Sequence, residues 1–570
     1  MEENHTSKSK EDLLLKIREL EKEVKKLNNQ IIKDDRYGLN WIDVPEGFEQ
    51  ETEDKIPILE EVKDKAITND DGKPTHILIE GDNYHALTCL NYTHKGKVDV
   101  IYIDPPYNTG NDGFTYKDKR LLEKHPNGVL IKKEHPLRHS SWLSFMNKRL
   151  KLAKELLSER GVIFISIDSN EFAQLKLLCN KVFGEQNYIC DFIRKTKSMT
   201  GDDGNGLNIQ HEYLLVFSKK KNKVMFTGED KDFSGYKNPD NDVNGLWCSG
   251  DPSAKSGGST TYFAIKNPYT NKEDYPPIGR YWAFSESTLN EYIEKGRIKF
   301  KKEYPSNQRG FIFKRYKNDL ITAFNAVGTL FAVDNVFMNQ IATTETNSIF
   351  GESLFDYPKP CIYIEKILKY SSDNSSIILD FFAGSGTTMH ATMNLNAEDG
   401  GKRQCILVQE NESDICDKIC YERNKRVMQG YSKKNGEEIE GLGNSLKYYR
   451  TSFVGKHSAK NSTDDDRVEL SHKAGYLLAL GENTLEEKKK TSYFQIFDSK
   501  DKATAIYFKE DLSGFDEFVK EVEEMGKRTA VYIFSWDNAQ SFEYNFEHLK
   551  EIEIKSIPQA ILEIYKSIND

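Results

Sequence analysis

The stretch VDVIYIDPPYNTG, residues 98–110, decides the fold of this chain. Its first six residues are almost all apolar, as in a strand of a parallel sheet that is covered on both faces. Pro105 and Pro106 cannot donate ladder hydrogen bonds, so the strand must end where Asp104 begins. The stretch therefore predicts a buried strand that brings the loop from Asp104 to Tyr107 to the edge of a sheet.

Further strands of the same type lie on both sides of this stretch in the sequence. They are short apolar runs with helix-like segments between them, at residues 76–80, 161–168, 376–380 and 405–408. Such alternation predicts a Rossmann-like, doubly wound, mostly parallel α/β sheet. Ligands of these sheets sit beyond the carboxyl ends of the strands, and polar residues follow several of the predicted strands there.

A second motif, DFFAGSGTT at residues 380–388, follows one of those strands. Its glycines allow a ligand to approach the backbone closely. It is not the dinucleotide fingerprint, because Met389 replaces the third glycine, and no Gly-Lys-Ser/Thr of a phosphate loop follows. The glycine pair alone is weak, but it becomes specific when it shares a sheet edge with the loop at 104–107.

Composition bounds the class of protein. The chain has 570 residues, 37% of them hydrophobic and 30% charged, with a net charge of −10, which is typical of a folded protein of several domains. It has no apolar run of about 18 residues, and its N-terminus lacks a secretion signal. Its eight cysteines form no CxxC pair, so we expect neither a disulfide framework nor a metal site. These features predict a cytoplasmic protein.

The sequence divides into five predicted segments. Apolar residues at spacings of four and three between 11 and 32 predict a coiled-coil-like helix, or an amphipathic helix packed on its own domain. From 190 to 330, 22 Lys and Arg oppose 17 Asp and Glu, a balance of +5 against −15 for the rest. The expected segments are an N-terminal helix at 1–35, a half with the first motif at 36–193, an aromatic-rich insert at 194–348, a half with the second motif at 349–449 and a small C-terminal α/β domain at 450–570.

The residues of the first loop suit methylation of an exocyclic amino group. The lone pair of that nitrogen is delocalised into the ring, so acceptors must draw the amino hydrogens out of plane. Asp104 and the carbonyl of Pro105 can supply these acceptors, and Tyr107 can stack on an everted base. The alternative is a plain strand-ending turn, in which Asp and Pro are common.

Together the two motifs resemble the signature of β-class S-adenosylmethionine-dependent DNA amino-methyltransferases, which are circularly permuted. The stretches DPPYNTGNDGFTYKD, HSSWLSFMNKRL, FDYPKP and YIFSWDNAQSFEY further resemble the modification subunit of type III restriction–modification systems. This resemblance implies that Asp104, Pro105, Pro106 and Tyr107 hold the target base. It also implies a set of cofactor-binding residues, namely Asp82, Lys359, Asp380, Phe382, Gly384, Gly386 and either Gln409 or Glu410.

Within this family, Asp at the head of the first motif favours adenine N6 over cytosine N4. The resemblance implies double-stranded DNA as substrate, a target-recognition role for the insert, a homodimer and a separate ATP-dependent restriction subunit. Backbone contacts to DNA, or a solvated turn, are expected at Lys219, Lys220, Lys221 and Lys223. The alternatives are a DNA-binding specificity subunit without turnover, a cytosine-N4 methyltransferase, and a methyltransferase acting on RNA or a protein amide.

Overall fold

The computed structural model describes most of the chain, and every structural statement below concerns these residues. They are 39–44, 55–110, 118–124, 130–132, 135–198, 206–333, 335–536 and 539–568. The expected N-terminal helix at 1–35 lies outside them. By compactness the chain forms two units, one of residues 1–225 with 328–570 and one of residues 226–327.

The first half of the larger unit alternates strands and helices, as its apolar runs predict. Its elements are β1 (Ile56–Glu61), β2 (Thr75–Glu80), α1 (Asn83–Thr93), β3 (Val98–Ile103), α2 (Ser140–Leu156), β4 (Leu157–Ile167), α3 (Phe172–Phe183), β5 (Tyr188–Lys195) and β6 (His211–Ser218). Helix α2 ends at Leu156, with four residues between it and the apolar run that predicted the next strand at 161–168. The reason is that β4 starts at Leu157 and pairs through an irregularity with Val98 of β3.

The smaller unit, 226–327, consists of short strands around an aromatic core. Its elements are β7 (Trp247–Ser249), β8 (Ser253–Ala254), β9 (Ile265–Lys266), β10 (Glu273–Asp274), β11 (Tyr281–Trp282), α4 (Glu286–Glu294), β12 (Ile298–Phe300) and β13 (Phe311–Tyr316). Its core contains Ile265, Trp282, Phe284, Leu289, Ile298 and Phe311. This unit is narrower than the insert expected at 194–348, because β6 before it and the residues from 328 onward after it belong to the larger unit.

The chain then completes the larger unit. These elements are β14 (Leu330–Phe331), α5 (Asn339–Phe350), α6 (Cys361–Ser371), β15 (Ile377–Asp380), α7 (Thr387–Asp399), β16 (Gln404–Gln409), α8 (Glu422–Gln429), β17 (Gly430–Ser432), β18 (Glu438–Glu440) and β19 (Ser445–Val454). A π-helical segment, Ile415–Tyr421, runs directly into α8.

Ten strands form the central sheet, in the order β1-β19-β2-β16-β15-β3-β4-β6-β5-β14. The strands from β19 to β4 are all parallel, whereas β6 runs antiparallel to both β4 and β5. The predicted doubly wound, mostly parallel sheet is therefore confirmed. The carboxyl ends of β2, β16, β15, β3 and β4 meet at one edge, and β6 begins at that edge.

A second sheet follows, built from the last residues of the chain. Its elements are α9 (Asp464–Lys473), α10 (Gly475–Glu482), β20 (Glu486–Lys490), β21 (Phe494–Asp498), β22 (Lys502–Tyr507), α11 (Phe515–Met525), β23 (Arg528–Phe534), β24 (Ile552–Ile557) and α12 (Gln559–Ile568). Its five strands lie in sequence order.

The part expected as a domain at 450–570 belongs to the larger compact unit, and residues 494–546 within it also form a hydrophobic core of their own. Tyr532, Ile557 and Leu562 belong to the same hydrophobic core as the central sheet, and the Tyr565 hydroxyl donates to the Pro57 carbonyl at 3.0 Å. Most residues of α1 are buried, because α10 and α12 pack on the part of its surface that the central sheet does not cover.

Among the helices of the described residues, none combines the length and the apolar character that crossing a membrane requires.

Candidate active site

A cavity of about 340 Å³ opens at the carboxyl edge of the central sheet. Both motifs line it, as do the residues that follow β2 and β16. The lining includes eight acidic residues, Asp82, Asp104, Asp118, Glu212, Asp356, Asp380, Glu410 and Glu412, against two basic ones, Arg120 and Lys359. Since unlike charges attract, the cavity suits a ligand that carries positive charge.

The first loop holds its key side chains in one hydrogen-bonded cluster. The Tyr107 hydroxyl donates to Asp104 Oδ1 at 2.8 Å. Lys359 Nζ donates to Asp104 Oδ2 at 2.6 Å and to the Tyr107 hydroxyl at 3.1 Å. Lys359 stands between Pro358 and Pro360, which restrict its backbone to an extended form. The structure thus brings Lys359, expected among the cofactor-binding residues, to the carboxylate of the first loop.

The shape of the first loop depends on Asp118, which the sequence analysis missed. Asp118 is 2% exposed, and its carboxylate accepts from the backbone N–H groups of Tyr107, Asn108 and Thr109 at 2.8–3.2 Å. From the other side, the Trp142 indole donates to the Pro106 carbonyl at 2.8 Å. The backbone of the loop is therefore fixed before any ligand arrives.

A buried carboxylate, Glu171, supports the next residue of the loop. Asn108 has a positive φ of 58°, and its amide donates to Glu171 Oε1 at 2.6 Å. His139 Nδ1 lies 2.6 Å from the same oxygen. That contact raises the pKa of His139, so protonated His139 and Glu171 stabilise each other.

The second loop turns tightly at Gly384, which has a positive φ of 51°. A Cβ there would lie 3.2 Å from Phe355 Cζ. The Gly384 N–H donates to Gln409 Oε1 at 2.7 Å, and the side chain of Gln409 also donates to the Glu410 carbonyl. The Gln409 side chain is therefore occupied by contacts within the protein, and the expected cofactor contact of Gln409 or Glu410 stays a prediction.

Asp380 stabilises the second loop from below. It is 2% exposed, and it accepts from the Phe382 N–H at 3.0 Å and from the Thr388 hydroxyl at 2.6 Å. Burial raises the pKa of Asp380 to about 7 despite these two hydrogen bonds. Asp380 was expected among the cofactor-binding residues, and that role stays a prediction.

Gly386 faces away from the cavity. Its φ is 76°, and a Cβ there would lie 2.3 Å from Asn424 Nδ2 and 3.1 Å from the carbonyl and the Sγ of Cys420. The constraint at Gly386 is thus the packing of the loop against α8 and the π-helical segment. Its expected contact with the cofactor stays a prediction.

Asp82 is the N-cap of α1. Its carboxylate accepts from the Tyr84 N–H at 2.7 Å and pairs with Arg149 at 3.0 Å. The Arg149 guanidinium also lies over the Phe145 ring, 3.7 Å from its centre, and Phe145 packs near Phe382. The Asp82 side chain therefore lines the cavity in a fixed position, and its carboxylate oxygens already accept hydrogen bonds from Tyr84 and Arg149.

Glu212 is a second buried carboxylate in the cavity wall that the sequence analysis missed. It lies near the start of β6, 6% exposed, and pairs with the fully buried Arg194 of β5 at 2.5 Å. Burial alone would raise the pKa of Glu212, but Lys359 and Arg194 lower it, and the net shift is downward. Glu212 directly precedes the apolar run at 213–217, and an acidic residue at that place is the signal that sequence reasoning could have used.

A comparison of sequences decides the family. The profile of the DNA methylase family, which unites N6 and N4 enzymes, matches residues 98–434. This match covers 337 of 570 residues and includes both loops of the cavity. The chain belongs to the DNA methylase family.

Curated relatives of this DNA methylase include type III modification subunits, which confirms the resemblance. The StyLTI Mod subunit of Salmonella typhimurium is 34% identical, over 67% of this chain and 61% of the relative. The EcoPI Mod subunit of Escherichia phage P1 is 30% identical, over 71% of this chain and 68% of the relative. The type II methyltransferase M.KpnI of Klebsiella pneumoniae is 33% identical, over 61% of this chain and 83% of the relative. The chain thus spans about two thirds of the length of these Mod relatives.

The expected DNA-contacting lysines of this DNA methylase lie far from the cavity. They follow the end of β6, where Ser218 pairs with Val162 in the middle of β4, whereas the cavity lies beyond the carboxyl end of that strand. Lys220 and Lys223 pair with Glu159 at 2.5 and 3.2 Å. The Lys219 and Lys221 ammonium groups donate to backbone carbonyls. Their contact with DNA stays a prediction, and this placement does not favour it.

One group of potential metal ligands lies outside the cavity, at Glu345, Cys361 and His390. The buried guanidinium of Arg423 donates to Glu345 and lies 3.3 Å from His390 Nδ1. Burial, with Glu345 and Glu365 nearby, raises the pKa of Cys361 well above that of a free thiol. A cation would therefore have to displace Arg423 and deprotonate the thiol, so the group suits an ion pair better than a metal.

Proposed function

We propose that this chain is a site-specific DNA methyltransferase that methylates N6 of adenine with S-adenosylmethionine. One observation carries the proposal: Tyr107 and Gly384, 277 residues apart in the sequence, line the same cavity at the carboxyl edge of one sheet. The family match and the type III modification relatives support it. Adenine is favoured over cytosine by Asp104 at the head of the first motif.

Asp104 and the Pro105 carbonyl would bind the target amino group. Each accepts one amino hydrogen, which draws the nitrogen toward a tetrahedral geometry and frees its lone pair for attack. The hydrogen bond that the Tyr107 N–H donates to Asp118, and the one that the Trp142 indole donates to the Pro106 carbonyl, hold these acceptors in place, so little ordering is needed when the base arrives.

Tyr107 would stack on the target base once it has left the duplex. Extrusion costs a few kcal/mol of unpairing and unstacking. Stacking on an aromatic side chain returns roughly 1–3 kcal/mol per base. The Tyr107 ring suits this role because it lies in the cavity wall and its hydroxyl is held by Asp104.

The residues of the second loop fit S-adenosylmethionine. When bound, this cofactor supplies a methyl group that its positively charged sulfur already activates. The excess of acidic residues in the lining suits that charge, and the bare backbone at Gly384 leaves space that a Cβ would fill. Phe382 and Gly384 would hold the cofactor, Glu410 its ribose and Asp82 its adenine.

The remaining parts would supply recognition and assembly. We assign target recognition on double-stranded DNA to the unit 226–327. This unit is shorter than the insert predicted from the sequence at 194–348. A homodimer and a separate ATP-dependent restriction subunit are proposed from the type III relatives. A cytoplasmic location is proposed as well, since methylation and restriction both need access to cellular DNA.

Transfer of labelled methyl groups to duplex DNA tests the function. The purified chain is mixed with tritiated cofactor and genomic DNA from a host that lacks it. The wild type and Asp373→Ala, a surface carboxylate at the opposite edge of the sheet that pairs with Arg160, are expected to incorporate label. Asp104→Ala is expected to lose about 100- to 1,000-fold of the rate because it removes the main acceptor.

Analysis of the product separates the alternatives. Digestion of the DNA to nucleosides should yield N6-methyladenine, whereas N4-methylcytosine would identify the cytosine enzyme. DNA binding without any label transfer would identify a specificity subunit without turnover. Transfer to RNA or protein in preference to DNA would overturn the proposal. Single-molecule sequencing of the labelled DNA then gives the target sequence.

A further inference from the structure

Two carboxylates share one lysine at the place proposed for the target amino group. Lys359 Nζ lies 2.6 Å from Asp104 Oδ2 and 3.8 Å from Glu212 Oε1. The Tyr107 hydroxyl lies between the same two carboxylates, 2.8 Å from Asp104 Oδ1 and 3.3 Å from Glu212 Oε2. The first of these carboxylates has an assigned role, and Glu212 does not.

Glu212 is held where it is by a rigid cation behind it. The guanidinium of Arg194 donates to Glu212 Oε1, to the Phe337 carbonyl at 2.8 Å and to Asn339 Oδ1 at 2.7 Å. Arg194 is fully buried, so this cation cannot move to follow another partner. Glu212 is thus a fixed negative charge whose second oxygen faces the cavity.

Lys359, in contrast, donates to the Asp104 carboxylate, which is the acceptor that the target amino group needs. An ammonium group has three hydrogens, and here two of them are directed to Asp104 and Tyr107. A carboxylate that is already paired with an ammonium ion is a weaker acceptor for an amino hydrogen. The ammonium must therefore shift before Asp104 can polarise the base, and a movement of about 1 Å brings it into contact with Glu212.

We propose that Glu212 is a positioning residue that draws Lys359 away from Asp104 when the target base enters. In the empty site the Lys359 ammonium is paired with Asp104. In the site that holds the target base, the same ammonium is paired with Glu212. No covalent bond changes and no proton moves, since the ammonium keeps its charge throughout. This inference rests on the proposed function, and it adds a residue that acts on Asp104 through Lys359.

The first experiment compares Glu212→Gln with the wild type in methyl transfer. The variant keeps the shape of the side chain but loses the charge that receives Lys359. Its kcat is expected to fall about 10- to 100-fold, the scale of one charge-assisted hydrogen bond. Its affinity for S-adenosylhomocysteine, measured by calorimetry without turnover, is expected to stay within about twofold. A loss of cofactor affinity as large as the loss of kcat would overturn the proposal.

A charge-balanced variant separates positioning from simple neutralisation of Arg194. Glu212→Gln leaves a buried guanidinium unpaired, which by itself destabilises the protein. The double variant Arg194→Gln with Glu212→Gln removes both charges and is expected to regain most of the lost urea stability while kcat stays low. Recovery of kcat together with stability would show that Glu212 serves Arg194 alone, and would overturn the proposal.

A double-mutant cycle with Lys359→Met tests the route through the lysine. If Glu212 acts only through Lys359, then Glu212→Gln lowers kcat by less than about twofold when Lys359 is already Met. An equal loss in both backgrounds would contradict this route. Methyl transfer by the wild type is measured first, so that failure of the proposed function is seen separately from failure of these variants.

Discussion

Alanine at Gly384 and alanine at Gly386, the two glycines of the second loop, are expected to have different effects. Gly384 and Gly386 both have positive φ, 51° and 76°, so alanine costs roughly 1–2 kcal/mol of backbone strain at either. Their surroundings differ. A Cβ at Gly384 would point toward the ring tip of Phe355, a half-buried side chain that can yield. A Cβ at Gly386 would meet the fully buried Asn424.

The magnitudes follow from these contacts. At Gly386, a Cβ 2.3 Å from Asn424 Nδ2 and 3.1 Å from a backbone carbonyl forces a shift of buried atoms. Such overpacking costs about 1–3 kcal/mol, which gives a total of about 2–5 kcal/mol for Gly386→Ala. At Gly384, the 3.2 Å approach to Phe355 adds little to the strain, so Gly384→Ala costs about 1–2 kcal/mol.

Two measurements distinguish these outcomes. Urea unfolding followed by tryptophan fluorescence gives stability, and calorimetry with S-adenosylhomocysteine gives cofactor affinity. We expect Gly386→Ala to lose more stability than Gly384→Ala. We expect Gly384→Ala to lose about tenfold or more in affinity, because its methyl group fills cavity space. Greater instability of Gly384→Ala, or undiminished affinity in that variant, would refute the assignment of the two glycines.

Asp118 beside the first loop, Asp380 in the second loop and the turn that contains Lys220 and Lys223 give three more tests. Asp118→Asn should cost about 1–3 kcal/mol in urea unfolding and lower kcat, because the carboxylate that accepts from the first loop is lost. Because burial raises the pKa of Asp380 to about 7, wild-type stability should fall as pH rises from about 4 to about 7, and urea midpoints of Asp380→Asn should lack that fall; equal slopes would contradict this. Lys220→Glu combined with Lys223→Glu should leave the salt dependence of DNA binding unchanged, whereas a slope reduced by about two would place DNA at that turn.

The sequence was sufficient for the sheet and for the meeting of the two loops. The prolines after β3 and the glycines after β15 mark strand ends locally, and parallel strands bring such ends to one edge. The partner of Asp104 could not be found in this way. Lys359 is 255 residues away, and no local spacing relates the two.

Glu212 and Asp118 escaped prediction for a related reason. Each is an isolated acidic residue whose function depends on tertiary contacts, Glu212 with Arg194 and Asp118 with the backbone of the first loop. The insert expected from 194 included β6 and only the last two residues of β5. The predicted boundary at 194 was therefore early, whereas the compact unit begins at 226.

The way the carboxyl end covers α1 has a practical consequence for building chimeras of related enzymes. A truncation near 450 would remove α10 and α12 and leave apolar side chains of α1 uncovered. We expect such a truncated protein to aggregate, so that its binding to a second copy or to a restriction subunit could not be measured. The unit 226–327 has its own core, so cuts at its two borders exchange a self-contained cassette. Grafting sequence preference from one enzyme to another is best attempted there.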